Sequence, residues 1–305
     1  MSAVPGPELI PLARQAAFLL LQGHAAAAAE HCRRLQAVDA NMDWFGGFTD
    51  MLAWALPRPR LYPLVRALVD AGFANARSFD LLAAAAIWAG NSQAARALTD
   101  PERFLHITAL HGPDDPVLPL LAAELSRDLE HFQQPSSRAI RMGWRRNHLE
   151  QDESPLLRQM FQRLQAMALD YIARLPDDPD NAFLRARPAR LGLRGWSVVS
   201  GAETHHVSHL HSKSWINGVY YVAVPAVVAD AVEKPGWLRV GPAVERGFNA
   251  ENGWDERWIQ PQPGLVVLMP SHFTHETRPL NQADERRICV AFELYDQAAG
   301  PVQLL

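Results

Sequence analysis

Six of the chain's twelve histidines fall in two short segments, Thr204–His211 and Pro270–His275. In the first, His209 and His211 are two residues apart, so on a strand both rings project from one face. A third imidazole would have to come from a distant strand, and His275 lies 64 residues beyond His211. Three imidazoles on one side of a metal ion would leave its remaining positions open. A small closed barrel can hold such a set at its mouth.

The texture of the chain agrees with a barrel in its last third. From Gly195 onward short apolar or alternating runs follow one another: Trp196–Val199, Gly218–Val224, Trp237–Val240, Leu265–Met269 and Ile288–Leu294. Turn residues separate them, which predicts strands of a sandwich or barrel of the jelly-roll kind. Ala243–Trp258 is a loop long enough to act as a lid. The N-terminal third reads differently. Residues 8 to about 110 are helical in pattern, with hairpins Leu9–Leu21/Ala25–Val38 and Ser78–Ala89/Ser92–Leu98 broken at Gly23 and Gly90. Ser78 and Ser92 are the expected helix N-caps. The two breaks are 67 residues apart, about twice the roughly 34-residue period of tetratricopeptide repeats.

His111-Gly112-Pro113-Asp114-Asp115-Pro116 marks a boundary. Two helices are expected after it, Val117–His131 and Pro155–Leu175, the second with Pro155 at its first position. Between them lies the arginine-rich run Pro135–Arg146, read as a solvated face or an anion site. The expectation is therefore an α+β chain. Residues 1–112 form an all-helical, repeat-like domain. Residues 113–305 form a double-stranded β-helix, a jelly-roll or cupin-like barrel, with supporting helices as a lead-in over 113–190.

Bulk properties exclude little but point one way. A net charge of −4 with 20% charged residues carries no general nucleic-acid signal. The two cysteines, Cys32 and Cys289, are far apart and outside any CxxC pair, which argues against a thiolate zinc site and for a reducing compartment. No apolar run approaches about 18 residues, and the N-terminal stretch lacks a basic segment followed by an apolar core. A cytoplasmic location and no membrane association are expected.

Arg287 follows His275 by 12 residues and opens the last strand. A metal-binding pair, a distant histidine and an arginine at that remove fit an oxygenase that uses a 2-oxo acid. The arginine's planar fork would grip the cosubstrate's far carboxylate. Residues 196–295 resemble the 2-oxoglutarate/Fe(II) oxygenases often fused to tetratricopeptide repeats in bacteria. The resemblance is carried by Trp196-Ser197-Val198, His206-Val207-Ser208-His209-Leu210-His211, Ser214-Trp215-Ile216-Asn217-Gly218-Val219-Tyr220-Tyr221 and Gly236-Trp237-Leu238. It continues through Pro263–Leu268, Pro270–His275 and Arg286–Phe292. The Gln-Thr pair of that family is absent, Trp144-Arg145 following Gly143 instead.

The resemblance implies Fe(II) and 2-oxoglutarate as cofactors, His209, His211 and His275 as metal ligands, and Arg287 as the partner of the distal carboxylate. Tyr221 and Ser271 are candidates for the 2-oxoglutarate pocket. Trp215 and Asn217 share a strand face and could line the site. His206, out of phase with His209, is read as supporting a ligand or forming pocket wall, and remains the competing ligand. Glu203 and Glu276 are candidate partners for an imidazole N–H, whereas His205 and His272 are read as structural. The expected reaction is hydroxylation of a peptide, protein or small molecule with release of succinate and CO2. Two alternatives stand beside it: a three-histidine, cupin-like metal dioxygenase needing no 2-oxoglutarate, and a helical-repeat binding protein with an inactive barrel. A protein partner at the N-terminal helices and a homodimer are further expectations.

Overall fold

The computed structural model describes residues 9–127, 139–281 and 286–299. Helices α1 (Leu9–Leu21), α2 (Ala25–Val38), α3 (Phe45–Ala55), α4 (Leu61–Asp70), α5 (Ala76–Trp88) and α6 (Ser92–Thr99) form the N-terminal layer. Their alanine-rich inner faces allow close approach. Ala13, Ala16, Ala17, Ala28 and Ala29 are fully buried where α1 meets α2. Gly23 and Gly90 end their hairpin helices with φ of +83° and +73°, a left-handed conformation that costs glycine nothing.

The caps differ from the expected ones by one to three residues. Asn75 caps α5, its side chain accepting from Arg77 N and Ser78 N at 3.1 Å each, while Ser78 Oγ accepts from Asn75 N at 2.9 Å. Asn91, rather than Ser92, caps α6. In both places asparagine lies just ahead of a serine that also satisfies the cap pattern.

A short helix α7 (Pro101–Phe104) leads into strand β1 (His106–Ala109), which lies within the region read as helical. Helix α8 spans Val117–Leu125 and ends in a turn at Ser126, short of the expected His131; residues 128–131 lie outside the described residues. Strand β2 (Ile140–Arg146) is built from the described end of the arginine-rich run, so that segment is an edge strand. Helices α9 (Pro155–Arg174, with Pro155 at its first turn) and α10 (Ala182–Arg185) complete the lead-in.

The remaining strands are β3 (Leu191–His206), β4 (Ile216–Ala223), β5 (Leu238–Val240), β6 (Arg257–Ile259), β7 (Leu265–Pro270), β8 (His275–Thr277) and β9 (Arg287–Asp296). They form two antiparallel sheets, one in the order β1-β7-β4-β9-β3-β2 and a smaller one in the order β6-β5-β8. This mixture of helices with two antiparallel sheets is consistent with a jelly roll. β6 occupies the end of the expected lid loop, so only its earlier part is irregular. Among the described residues no helix is long and apolar enough to cross a membrane.

The helical layer is keyed to the barrel by His272. Its imidazole is 1% exposed, donates from Nε2 to Leu98 O of α6 at 2.8 Å, and sits between the rings of Phe79 and Phe183. Burial pushes its pKa down from 6.5 to about 4, against smaller upward pulls from the Leu98 carbonyl and Asp80. Because the folded value lies below the unfolded one, acidification protonates the unfolded chain first. Stability is complete above pH 6.5 and falls as pH drops towards 4, by roughly 1.4 kcal/mol per pH unit from this group. Going from pH 7 to pH 5, the protein should lose about 2 kcal/mol more unfolding free energy than its His272→Gln variant. Denaturant titrations at the two pH values measure this, and equal losses would contradict it.

Candidate metal centre

The site begins with strand alternation on β9. Arg287, Cys289, Ala291 and Glu293 are successive residues of one face, and all four line a single cavity of about 660 Å³. Register fixes their neighbours. Asn217 and Tyr221 of β4 lie opposite Glu293 and Cys289, and Arg194 of β3 also lies opposite Glu293. The far wall is the His206–Lys213 connection together with Leu238, His275 and Thr277 of the small sheet. Asn41, Asp43, Arg77 and Asp80 of the helical layer close one side. Asp80 holds Arg246 of the β5–β6 loop by two hydrogen bonds of 2.8 and 2.6 Å, which ties that loop to α5.

His209 and His211 lie just beyond the end of β3 rather than inside a strand, yet they remain extended because the facing segment pairs with them. His209 N donates to His275 O at 3.0 Å and His275 N returns the bond to His209 O at 2.9 Å. His211 N donates to Ser271 O at 3.0 Å. These bonds draw together two segments 64 residues apart in sequence. Ring centroids are 4.3 Å apart for His209 and His275, 5.2 Å for His209 and His211, and 5.1 Å for His211 and His275.

Each of the three imidazoles is oriented through Nδ1. His209 Nδ1 meets Val207 O at 2.8 Å and His275 Nδ1 meets Phe273 O at 3.0 Å. His211 Nδ1 meets the Glu293 carboxylate. Carbonyl and carboxylate oxygens only accept, so Nδ1 carries a proton in all three and Nε2 is the atom each ring can offer to a metal. His211 Nε2 and His275 Nε2 face each other at 3.3 Å, and one nitrogen from each of the three rings falls within 4.8 Å of the others. Burial, then the neighbouring His211, pushes His209 down to about 3, and burial, then the neighbouring His209 and His211, holds His275 well below its usual range. Rings that resist protonation and point nitrogens at one place are chemically suited to a first-row metal ion.

Glu293 was not anticipated from the sequence. Burial pushes its carboxyl up, but the hydrogen bond and charge of His211, with the charge of Arg194, outweigh this and hold it down at about 2. Arg194 Nε donates to Oε2 at 2.6 Å, so one carboxylate bridges an arginine and an imidazole. The clue was available, since Glu293 lies six residues after Arg287 and thus on the same strand face. The two carboxylates considered instead do not reach an imidazole. Glu276 pairs with Arg239 at 3.6 Å, and Glu203 engages His205 only through its backbone oxygen.

Arg287 is 1% exposed and donates to Gly236 O at 2.6 Å and Ser200 Oγ at 3.3 Å. Among the described residues its Nε has no partner and no carboxylate forms an ion pair with it. Tyr221 lines the same cavity, its phenol pushed up by burial while the nearby Arg287 pulls it down. His206 lines the cavity too, its ring stacked 5.8 Å from that of His209 and its backbone N donating to Thr277 Oγ1. It falls outside the converging group of three. Asn217 faces the cavity with its Oδ1 unpartnered among the described residues.

Trp215 and Ser271 are not in the cavity wall. Trp215 lies just before β4, donates from Nε1 to Phe183 O at 3.2 Å and stacks on the Phe183 ring of α10 at 4.9 Å. Ser271 Oγ bonds Ser214 Oγ at 2.8 Å, and its carbonyl accepts from His211 N. Through these bonds it braces the histidine loop.

Residues 194–293 match the model of the family described as "Putative 2OG-Fe(II) oxygenase". The match spans about a third of the chain, and it is this segment that is similar to the family. No curated protein sequence matches the chain. Among solved structures, a Pseudomonas putida prolyl-4-hydroxylase aligns at 17% identity over 66% of this chain and 98% of that one, with a TM-score of 0.46. A Trichoplax adhaerens prolyl hydroxylase, solved with a peptide fragment of the hypoxia inducible factor oxygen degradation domain, aligns at 14% identity over 65% and 86%, also at 0.46. HygX from Streptomyces hygroscopicus, with nickel and 2-oxoglutarate bound, aligns at 14% identity over 65% and 85%, at 0.43.

Within the matched segment, Glu293→Gln should leave His211 without its anionic partner and Arg194 without its counter-ion. Iron affinity should drop roughly 10- to 100-fold, the range for losing a group that orients a metal ligand. Equilibrium dialysis against Fe(II) under anaerobic conditions measures it. Wild-type affinity in the variant would mean that the carboxylate does not orient His211.

Proposed function

We propose that His209, His211 and His275 hold the Fe(II) of this oxygenase through Nε2, and that Arg287 holds the distal carboxylate of 2-oxoglutarate. One observation carries this reading: a single cavity has three imidazole nitrogens converging in one part and, in another, a buried cation without a carboxylate partner among the described residues. A buried, unpaired guanidinium is costly unless a ligand supplies the missing charge. Tyr221 would pack beside that ligand. His206 would form wall next to His209, and Asn217 would offer its amide to a bound molecule.

The reaction we assign is hydroxylation. One atom of O2 enters a C–H bond of the substrate and the other enters succinate, while the 1-carboxylate of 2-oxoglutarate leaves as CO2. The cofactor supplies the oxidising chemistry. The protein's residues orient both substrates and hold the imidazoles in place. We further assign the helices within residues 1–112 to a tetratricopeptide-like domain and 113–305 to the double-stranded β-helix with its lead-in, the expected boundary moving ahead of β1, which pairs with β7 of the large sheet. Stacked helical hairpins support a peptide or protein as substrate or partner, and the cavity volume accommodates a small molecule equally well. Two free, buried cysteines accord with a cytoplasmic protein. The all-histidine ligand set favours one rival, a metal dioxygenase indifferent to 2-oxoglutarate.

Anaerobic addition of Fe(II) and 2-oxoglutarate should produce a weak visible charge-transfer band, and admission of O2 should release succinate. His211→Ala should lose the band with the iron. Arg287→Gln should keep the iron and raise the 2-oxoglutarate requirement roughly 10- to 100-fold, as expected for a lost charge-assisted pair. His211→Asp should still bind iron, because a carboxylate reaches the same side from the same position. Oxygen uptake that depends on substrate and ignores 2-oxoglutarate would establish the rival. Iron retained by His211→Ala and lost by His206→Ala would show that the ligand set is wrong.

A further inference from the structure

We infer that Arg145 anchors an anionic group of the substrate, so that the oxygenase acts on a carboxylate- or phosphate-bearing molecule with an apolar body. The inference rests on the reading that iron and 2-oxoglutarate occupy the three-histidine and Arg287 parts of the cavity. Arg145 comes from β2, and it too lines this cavity.

Its surroundings are those of a cation that awaits a partner. The guanidinium lies 4.3 Å above the Trp196 ring, and Trp196 in turn stacks 5.9 Å from His211. Its hydrogen-bond acceptor is the neutral side chain of Asn147 at 2.6 Å. Among the described residues no carboxylate forms an ion pair with it. The nearest acidic influence is Glu293, which Arg194 and His211 already engage. Asp80 is likewise taken, by Arg246. Burial lowers the Arg145 pKa to about 10, with Glu293 opposing and Arg194 reinforcing, so the group stays charged at neutral pH against a desolvation cost.

Arg145 is also separate from the arginine assigned to 2-oxoglutarate. Along β3, Ser200 accepts from Arg287, whereas Trp196 lies beneath Arg145. Four residues of strand, roughly 13 Å, separate these two points. The guanidinium of Arg145 is thereby held over an indole at the His211 side of the centre. A planar fork stacked on an aromatic ring presents its edge N–H groups to a carboxylate or phosphate. Ile140, Val198 and Leu210 line the cavity as well and supply apolar surface, while Ser208 Oγ and Asn217 Oδ1 are buried without partners among the described residues.

Equilibrium dialysis of the anaerobic protein loaded with Fe(II) and 2-oxoglutarate tests this with three probes: 3-phenylpropionate, its neutral amide 3-phenylpropionamide, and phenyl phosphate. At least one anion should bind about 10-fold more tightly than the amide, the effect of one charge-assisted contact. The tighter of the two names the anion class. The preference should vanish in Arg145→Gln and persist, reduced, in Arg145→Lys, with 2-oxoglutarate affinity unchanged in both. Retention of neither anion above the amide by the wild-type protein, including no retention of any probe, would overturn the inference. So would a preference that survives Arg145→Gln, or loss of 2-oxoglutarate binding in that variant. Failure of wild-type protein to bind 2-oxoglutarate would instead refute the cofactor assignment. The anion comparison, repeated without 2-oxoglutarate, would then decide the Arg145 site by itself.

Discussion

Three imidazoles must be aimed at one point, uncharged and immobile, before anything else in this cavity matters. The exchange of backbone hydrogen bonds between His209 and His275 does most of this, because it sets two distant segments in register next to each other. The bond from His211 N to Ser271 O extends the same pairing. Nδ1 contacts to Val207 O, Phe273 O and Glu293 then remove the freedom of ring rotation and tautomer. Burial completes the arrangement by making the protonated rings unfavourable.

The rest of the fold can be understood as support for that arrangement. The long β3–β9 pairing presents Arg287 and Glu293 on one face, six residues apart, so one strand serves both the histidines and the buried cation. Trp215 and Ser271 brace the histidine loops from behind, through Phe183 of α10 and through Ser214. The helical layer contributes directly to the cavity wall at Asn41, Asp43, Arg77 and Asp80, and His272 fastens it to the barrel. The ion pair between Asp80 and Arg246 ties the β5–β6 loop to α5.

Much of this was legible in the sequence because periodicity speaks clearly where one face is buried. The strands at Trp196–Val199, Leu265–Met269 and Ile288–Leu294, and the helices Leu9–Leu21 and Ala25–Val38, follow from alternation and from turn residues. The period-two argument also found the histidine pair, although backbone pairing rather than a continuous strand keeps it extended. Features that depend on tertiary partners were not legible. β1 is too short and β2 too charged to stand out, and each becomes a strand by pairing at an edge of the large sheet. Glu293 was hidden in an apolar strand, and Trp215 was assigned to the cavity because a strand pattern cannot say which neighbour an indole will find. The caps were displaced because Asn and Ser compete for the same backbone N–H groups and only the folded geometry chooses between them.

A crystal grown anaerobically with Fe(II) and 2-oxoglutarate tests the central claim most directly. The account predicts metal bonds from Nε2 of His209, His211 and His275, with the 2-oxoglutarate distal carboxylate gripped by Arg287 and Arg145 left clear of it. A metal bound by His206 in place of His211, or a 2-oxoglutarate carboxylate seated on Arg145, would contradict it.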